Sequence, residues 1–322
     1  MLYEVAGHSE GGSTGGPGCH TGGRRLYSCV LMDIPYRLIA VDVDGTLVDS
    51  RGQVPTANRR ALHRAHEAGM KVCICTGRSL SETRAVIEAV GLDSDAGVFI
   101  FGAVVSALPE GRTLRRTAME RPLAERLTEF FQNRSYPLLV AYDGWENPAE
   151  FCLIRGERLA EGVERWRSNT PTPVREFDDW RELPPEPVRI GVLDEPGHIE
   201  ETLAALNAEF PAGQMKCNAI YAPNYGLHVV ECFAPQVNKW YGITMLAEPL
   251  GIRPEQIVAI GDDVNDLEMI REAGLGIAMG NANPKVAAVA RRQTRGHDEG
   301  GVAVAVEAIL DGELGRLLRH ST

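Results

Sequence analysis

Three stretches of this chain run almost without a polar residue for the length of a β-strand. They are the start of LIAVDVDGTLVDS (38–50), KVCICTGR (71–78) and GVFIFGAVV (97–105). Between them lie stretches of helical character. Ala61, Leu62, Ala65 and Ala68 repeat at helical spacing, with Gly69 placed to end the helix, and Ser79 with Glu82 forms a capping box for a helix to about Val90. Strands that show no polar alternation are buried on both faces. Alternated with amphipathic helices, they predict a parallel, doubly wound sheet with helices on either side.

That rhythm stops near Gly111 and returns near residue 235. The intervening segment, 112–234, is more polar, with helices expected at 121–133 and 197–209 and strands at 151–154, 187–193 and 227–233. After it, 237–249 reads as a helix, QIVAIGD (256–262) as a strand, 265–273 as a helix and GLGIAM (274–279) as a strand. Helices are expected again at 284–292 and from Val302 to about Leu318. The layout is an α/β core, 36–111 and 235–318, split by an inserted α+β module. Residues 1–35 are rich in glycine and polar residues and read as a disordered extension, with Met32 as the natural start.

The bulk numbers exclude several partners. A formal charge of −11 provides no positive field to draw nucleic acid or an anionic membrane, and no apolar run is long enough to span a bilayer. The seven cysteines form no CxxC pair, so neither a disulfide framework nor a zinc site is indicated. A reducing, cytoplasmic setting fits.

In an open parallel sheet, ligands bind beyond the carboxyl ends of the strands. Polar clusters fall there: Asp42 and Asp44 after the first strand, Thr76, Gly77 and Arg78 after the second, and GDDVND (261–266) after a later one, with Lys239 near a helix start. Residues i and i+2 of a strand face one way, so Asp42 and Asp44 are expected to share a space. Two carboxylates held together raise a pKa or demand a cation, and Asp262 adds a third. An all-oxygen set suits Mg²⁺ and not zinc. Thr76 offers a hydroxyl and Lys239 a positive charge to phosphoryl oxygens, and Gly45 and Gly77 let backbone amides approach an anion. Taken singly, each cluster reads as a turn, a cap or a solvated residue. Their joint order along the chain points to an active site.

The set DVDGT, TGR, Lys239 and GDDVND resembles the haloacid dehalogenase superfamily, and the long insertion is similar to its Cof-type branch with a C2 cap. The resemblance spans 36–318. It implies a Mg²⁺-dependent phosphatase of small phosphorylated metabolites such as sugar phosphates or phosphorylated cofactors. Asp42 would be the nucleophile that becomes an aspartyl-phosphate. Asp44 would be the acid and base, its main-chain carbonyl joining the Asp42 and Asp262 carboxylates as metal ligands. Thr76, Gly77, Lys239 and Asn265 would hold the phosphate, supported by Gly45, Arg78 and Asp266. The family often has Asn-Gly-Ala where this chain has Phe101, Gly102 and Ala103.

Two other readings share these residues: phosphotransfer or mutase activity from the same phospho-aspartate, and a non-enzymatic regulator with a silent site. YDGWEN (142–147) and NAIYAPNYG (218–226) read equally as leaving-group contacts or as plain loops.

Overall fold

The computed structural model of the chain describes residues 34–92, 96–157, 160–170, 172–194, 198–222 and 227–319. The extension expected at 1–35 lies outside them apart from Ile34 and Pro35, as do 223–226 of the second aromatic stretch.

The first half of the core runs β1 (Leu38–Asp42), α1 (Thr56–Glu67), β2 (Lys71–Cys75), α2 (Leu80–Val90), β3 (Ala96–Phe99), β4 (Val104–Ala107) and β5 (Thr113–Arg116). The inserted part follows as α3 (Arg121–Gln132), β6 (Leu138–Ala141), β7 (Phe151–Ile154), α4 (Ala160–Asn169), β8 (Val174–Phe177), β9 (Arg189–Asp194), α5 (Ile199–Glu209), β10 (Lys216–Ala222) and β11 (Leu227–Phe233). The chain closes with α6 (Lys239–Ala247), β12 (Ile257–Gly261), α7 (Leu267–Glu272), β13 (Leu275–Ala278), α8 (Pro284–Val289), β14 (Arg292–Gln293), α9 (Gly301–Leu310) and β15 (Leu318–Arg319).

Nine strands form one sheet in the order β15-β14-β13-β12-β1-β2-β3-β4-β5. The stretch from β14 to β3 is parallel, and the flanking pairs are antiparallel. Every residue of β1 is buried because the strand serves two cores. Ile39 and Val41 pack with Leu62, Val86, Ile87, Val306 and Ile309 of α1, α2 and α9. Leu38 and Ala40 pack with Ile243, Leu246, Met269 and Val286 of α6, α7 and α8. Helices therefore cover both faces, as the unbroken apolar strands predicted. The α2 capping box forms as read, Ser79 Oγ accepting from Glu82 N–H and Glu82 Oε2 from Ser79 N–H.

The second sheet has the order β10-β11-β9-β6-β7-β8, with only β7 and β8 parallel. On one face, Leu127 and Phe131 of α3 and Leu206 of α5 pack with Val140, Ile190 and Val230. The other face, with Leu139, Phe151, Leu193 and Phe233, belongs to the same apolar cluster as the core helices. β5, which the sequence placed in the insertion, pairs with β4 in the nine-stranded sheet.

Three expected elements differ. GVFIFGAVV is two antiparallel strands, because Ile100 (φ 49°), Phe101 (φ 55°) and Gly102 (φ 103°) turn the chain through the left-handed region. Tertiary hydrogen bonds hold that turn: Ile100 N–H to the Arg78 carbonyl (3.0 Å) and Phe101 N–H to the Thr76 carbonyl (3.1 Å). The helix expected from Val302 to Leu318 ends at Leu310, just before Gly312 at φ 69°. The helix expected over 284–292 ends at Val289, and Arg292 joins the sheet as β14.

Candidate active site

β1, β2 and β12 run parallel and end together, so Asp42, Thr76 and Asp262 meet at one edge of the sheet. The strand stops at Asp42. Val43–Leu47 then make a single wide turn, closed by Val48 N–H on the Val43 carbonyl (3.1 Å). Asp44 therefore does not sit on a strand beside Asp42; the i, i+2 reason fails, although both residues line one cleft. Its carboxylate is exposed and engages Arg78 through both oxygens, Arg78 Nε to Oδ2 at 2.8 Å and Nη2 to Oδ1. Such a two-point pair fixes orientation as well as attraction.

Lys239 opens α6, whose N-cap is Asn238 with its side chain accepting from Tyr241 N–H. The helix start lies directly on the 100–102 turn: a Cβ on Gly102 would meet the Asn238 carbonyl oxygen at 2.0 Å, and one on Gly242 would meet Gly102. With no side chain between, Lys239 reaches the carboxylates and is only 1% exposed. Its Nζ donates to Asp42 Oδ1 (2.5 Å) and Asp266 Oδ1 (2.6 Å). Asn265 Oδ1 is at the limit, 3.5 Å. Burial opposes the lysine's charge, but Asp266 and Asp42 outweigh it and raise its pKa above the ordinary value. Asp42 is itself pushed well up by burial and the Asp266 charge, with Lys239 pulling the other way.

Asp262 accepts from Thr46 Oγ1 at Oδ1 (2.9 Å) and from Asn281 Nδ2 at Oδ2 (3.2 Å). The same Asn281 amide donates to the Gly45 carbonyl (2.9 Å). Gly45 has φ 75°, and a Cβ there would lie 2.3 Å from Asp262 Oδ2, so both conformation and space demand glycine. Burial, together with the Asp266 charge, pushes Asp262 up to about 6 despite the Thr46 hydrogen bond. Both Asp266 oxygens are engaged, one by Lys239 and the other by the N–H groups of Asp262 and Asp263 (3.0 and 3.2 Å).

Oxygens of Asp42, Asp262 and Asp266 lie within 4.8 Å of one another. Three carboxylates face one buried lysine, and two of them are pushed towards the neutral form. That surplus of negative charge, in an all-oxygen set, fits a hard divalent cation. Asp266 is fully buried and outside the cleft lining, whereas Asp42 and Asp262 line it, so these two are the better ligands.

The phosphate-side residues gather beside this cluster. Thr76 is buried, and its Oγ1 accepts from Arg78 N–H (3.1 Å), which leaves its own O–H to donate elsewhere. Gly77 is under Phe101: a Cβ would meet the ring at 2.4 Å. The Phe101 ring packs edge-on against Phe233, the last residue of β11, with centroids 5.5 Å apart. These groups open on a cleft of about 720 Å³ between the two sheets. Asp42, Asp44, Gly45, Thr76, Gly77, Arg78, Asp262 and Asn265 line its floor. Leu139, Trp166, Arg189, Val229 and Glu231 line its roof. Sequence reasoning missed Thr46 and Asn281 and every roof residue save Ile220 and Tyr221 of the second aromatic stretch. Thr46 stood within the quoted DVDGT, but nothing in the spacing marked Asn281.

Residues 39–306 match the family model of the haloacid dehalogenase-like hydrolases. A putative phosphatase of Bacillus subtilis, YxeH, is 27% identical over 278 residues, 85% of this chain and 98% of that protein. The 5-amino-6-(5-phospho-D-ribitylamino)uracil phosphatase YwtE of the same organism is 26% identical, over 86% of this chain and 99% of its own. A haloacid dehalogenase-like hydrolase from Bacteroides thetaiotaomicron superposes with a TM-score of 0.70 at 24% identity, covering 85% of this chain and 99% of the other. The motif order at the sheet edge and the match across most of the length agree, and the chain belongs to the haloacid dehalogenase-like hydrolases.

Proposed function

We propose that this hydrolase is a Mg²⁺-dependent phosphatase that cleaves small organic phosphate monoesters through an aspartyl-phosphate on Asp42. The observation that carries the reading is the buried Lys239, bonded to Asp266 and to Asp42, which lines the floor of a cleft with Asp262. Lys239 works against the burial that pushes Asp42 up, and Asp42 lines the cleft, where a nucleophile can meet a substrate.

Asp42 attacks phosphorus while the ester oxygen departs with a proton from Asp44. Water, deprotonated by Asp44, then attacks the same phosphorus, releasing phosphate and restoring Asp42. The Thr76 hydroxyl, the Lys239 ammonium, the Asn265 amide and the backbone at Gly77 hold the non-bridging oxygens as charge spreads over them. Arg78 orients Asp44 through their two-point pair, and Thr46, Asn281 and Asp266 hold the acidic groups in place. Mg²⁺, held by the Asp42 and Asp262 carboxylates and the Asp44 main-chain carbonyl, would neutralise the pocket and polarise the phosphoryl group.

Residues 36–111 and 235–318 serve as the catalytic core and 112–234 as the cap, with β5 contributed to the core sheet. Relatives named as phosphatases of a phosphorylated ribitylaminouracil and of HMP-PP support a small phosphorylated metabolite as substrate. A reducing, cytoplasmic setting belongs to the same reading; none of the five described cysteines is in a disulfide. Among the described residues, no helix is long and apolar enough to cross a membrane.

The test is a panel of phosphomonoesters with Mg²⁺ or EDTA, run on the native protein and Asp42→Asn. Release of inorganic phosphate that needs Mg²⁺ and vanishes in the variant is expected. Undiminished turnover by the variant would remove Asp42 as nucleophile, and phosphate passed to a second sugar without release would make the enzyme a phosphotransferase.

A further inference from the structure

The roof of the cleft contains two charges that the chemistry above does not use. Arg189 and Glu231 sit on β9 and β11, 8% and 4% exposed, and pair through a single bond, Nη1 to Oε1 at 2.5 Å. They are diagonal neighbours, since Glu231 lies opposite Gly191 and Cys232 opposite Ile190. Alternation along the strands puts them on the sheet face that looks towards the core, among Leu139, Phe151, Leu193, Val229 and Phe233. The Arg189 guanidinium lies 5.0 Å over the Phe151 ring. Both residues line the cleft whose floor holds Asp42 and Thr76.

Two buried polar atoms of this pair have no hydrogen-bond partner among the described residues: Arg189 Nε, a donor, and Glu231 Oε2, an acceptor. Native interiors seldom leave such atoms unsatisfied. An ion pair in an apolar setting is also no better for stability than well-packed apolar side chains of the same size. Burial pushes Glu231 up, with Arg189 pulling it down and the Glu82 carboxylate of α2 adding to the rise, so a core carboxylate already acts on it across the cleft. A pair kept here at that cost, half-bonded and lining the cleft, has the form of a ligand contact.

We propose that Arg189 and Glu231 are specificity-determining residues that bind the leaving group of the substrate, and that this leaving group is uncharged and hydroxyl-rich. The proposal rests on the phosphatase reading. A hydroxyl both donates and accepts, so two neighbouring hydroxyls in the cleft can pair with the guanidinium and the carboxylate once these side chains turn to present the buried Arg189 Nε and Glu231 Oε2. The pair balances its own charge. A second anionic group on the substrate would disturb that balance, and it would meet the carboxylates of Glu231 and Glu82. The apolar surroundings of Leu139, Trp166 and Val229 would take the carbon skeleton.

The experiment compares three Mg²⁺-supported hydrolyses: sorbitol phosphate, phosphogluconate and phenyl phosphate. The first two share a carbon chain and differ by one carboxylate, and phenyl phosphate has no group for the pair to bind. Because Arg189→Met alone would strand a buried carboxylate, the main variant is Arg189→Met with Glu231→Leu, which removes both charges at once. Glu231→Gln is the second variant, keeping the shape and the Arg189 contact. The native enzyme should prefer sorbitol phosphate to phosphogluconate. The double variant should lose about 10- to 100-fold in kcat/KM on sorbitol phosphate, mostly in KM, a loss expected when hydrogen bonds to charged groups vanish. Its rate on phenyl phosphate should stay within about 3-fold. Glu231→Gln should keep part of the preference.

Equal losses on sorbitol phosphate and phenyl phosphate would make the pair structural and overturn the proposal, as would an unchanged sorbitol phosphate rate in the double variant. If the native enzyme cleaves phenyl phosphate but does not favour the neutral polyol, this inference fails and the phosphatase reading stands. If it cleaves none of the three, both fall.

Discussion

Asp262→Asn should stabilise the metal-free protein while abolishing Mg²⁺-dependent turnover. Folding moves the Asp262 pKa from 3.8 to about 6, chiefly through burial. At 1.36 kcal/mol per unit, this caps the neutral-pH penalty at about 3 kcal/mol. Asp262 is only partly buried and shares its repulsion with Asp266, so a gain of about 1–2 kcal/mol from removing the charge is expected. The new amide can accept from Asn281 and donate to Thr46 Oγ1, so neither present partner is stranded. The sign follows from linkage. A carboxyl whose pKa rises on folding costs nothing below its unfolded value. The cost grows as pH climbs through the window from 3.8 to about 6 and stays constant above it. Urea denaturation in EDTA should therefore show the variant ahead by about 1–2 kcal/mol at pH 8, or about 2–3 °C in Tm, with the gap closing towards pH 4. Mg²⁺ should reverse the order: at one hundred times Kd the native protein gains about 2.7 kcal/mol and the variant little. A variant less stable than the native protein in EDTA at pH 8, or a gap that ignores pH, would refute the reasoning.

Asn281→Ala removes one donor that serves both Asp262 and the Gly45 carbonyl. It should weaken Mg²⁺ activation about 10- to 100-fold in apparent affinity, with near-native kcat at saturating metal. A Mg²⁺ titration of activity checks this. Lys239→Met strands Asp42 and Asp266 without their shared cation and should cost about 3–5 kcal/mol in EDTA near pH 8. Asp42 is already raised by burial and would take up a proton more readily without the lysine. The loss, read by denaturation against pH, should shrink on acidification.

Much of the cleft floor was legible because the relevant signals are local. DVDGT, TGR and GDDVND each sit where an apolar strand ends, and strand ends in a parallel sheet converge whatever the intervening length. Lys239 was legible only through its place in order with the other clusters, since an isolated lysine at a helix start has no periodic signature. The positions of Asp44 and of the 100–102 turn were not legible. A strand's alternation gives no notice of where the strand stops, and Ile100 and Phe101 are among the least suited residues for a left-handed backbone. The carbonyls of Thr76 and Arg78 hold that turn across the sheet edge, a non-local cause. The cap strands β6, β8 and β10 are short or partly polar, and the Arg189–Glu231 pair joins strands 42 positions apart, so no window of sequence contains it.

The contact of Phe101 with Gly77 makes two distant positions answerable to each other. A side chain at 77 needs a smaller residue at 101, while a smaller residue at 101 uncovers Phe233 on the cap side and opens the wall where roof and floor touch. Enlarging this enzyme's repertoire by mutating either position alone would therefore trade shape for stability, and a library that varies 77, 101 and 233 together is the one in which new pocket geometries could survive.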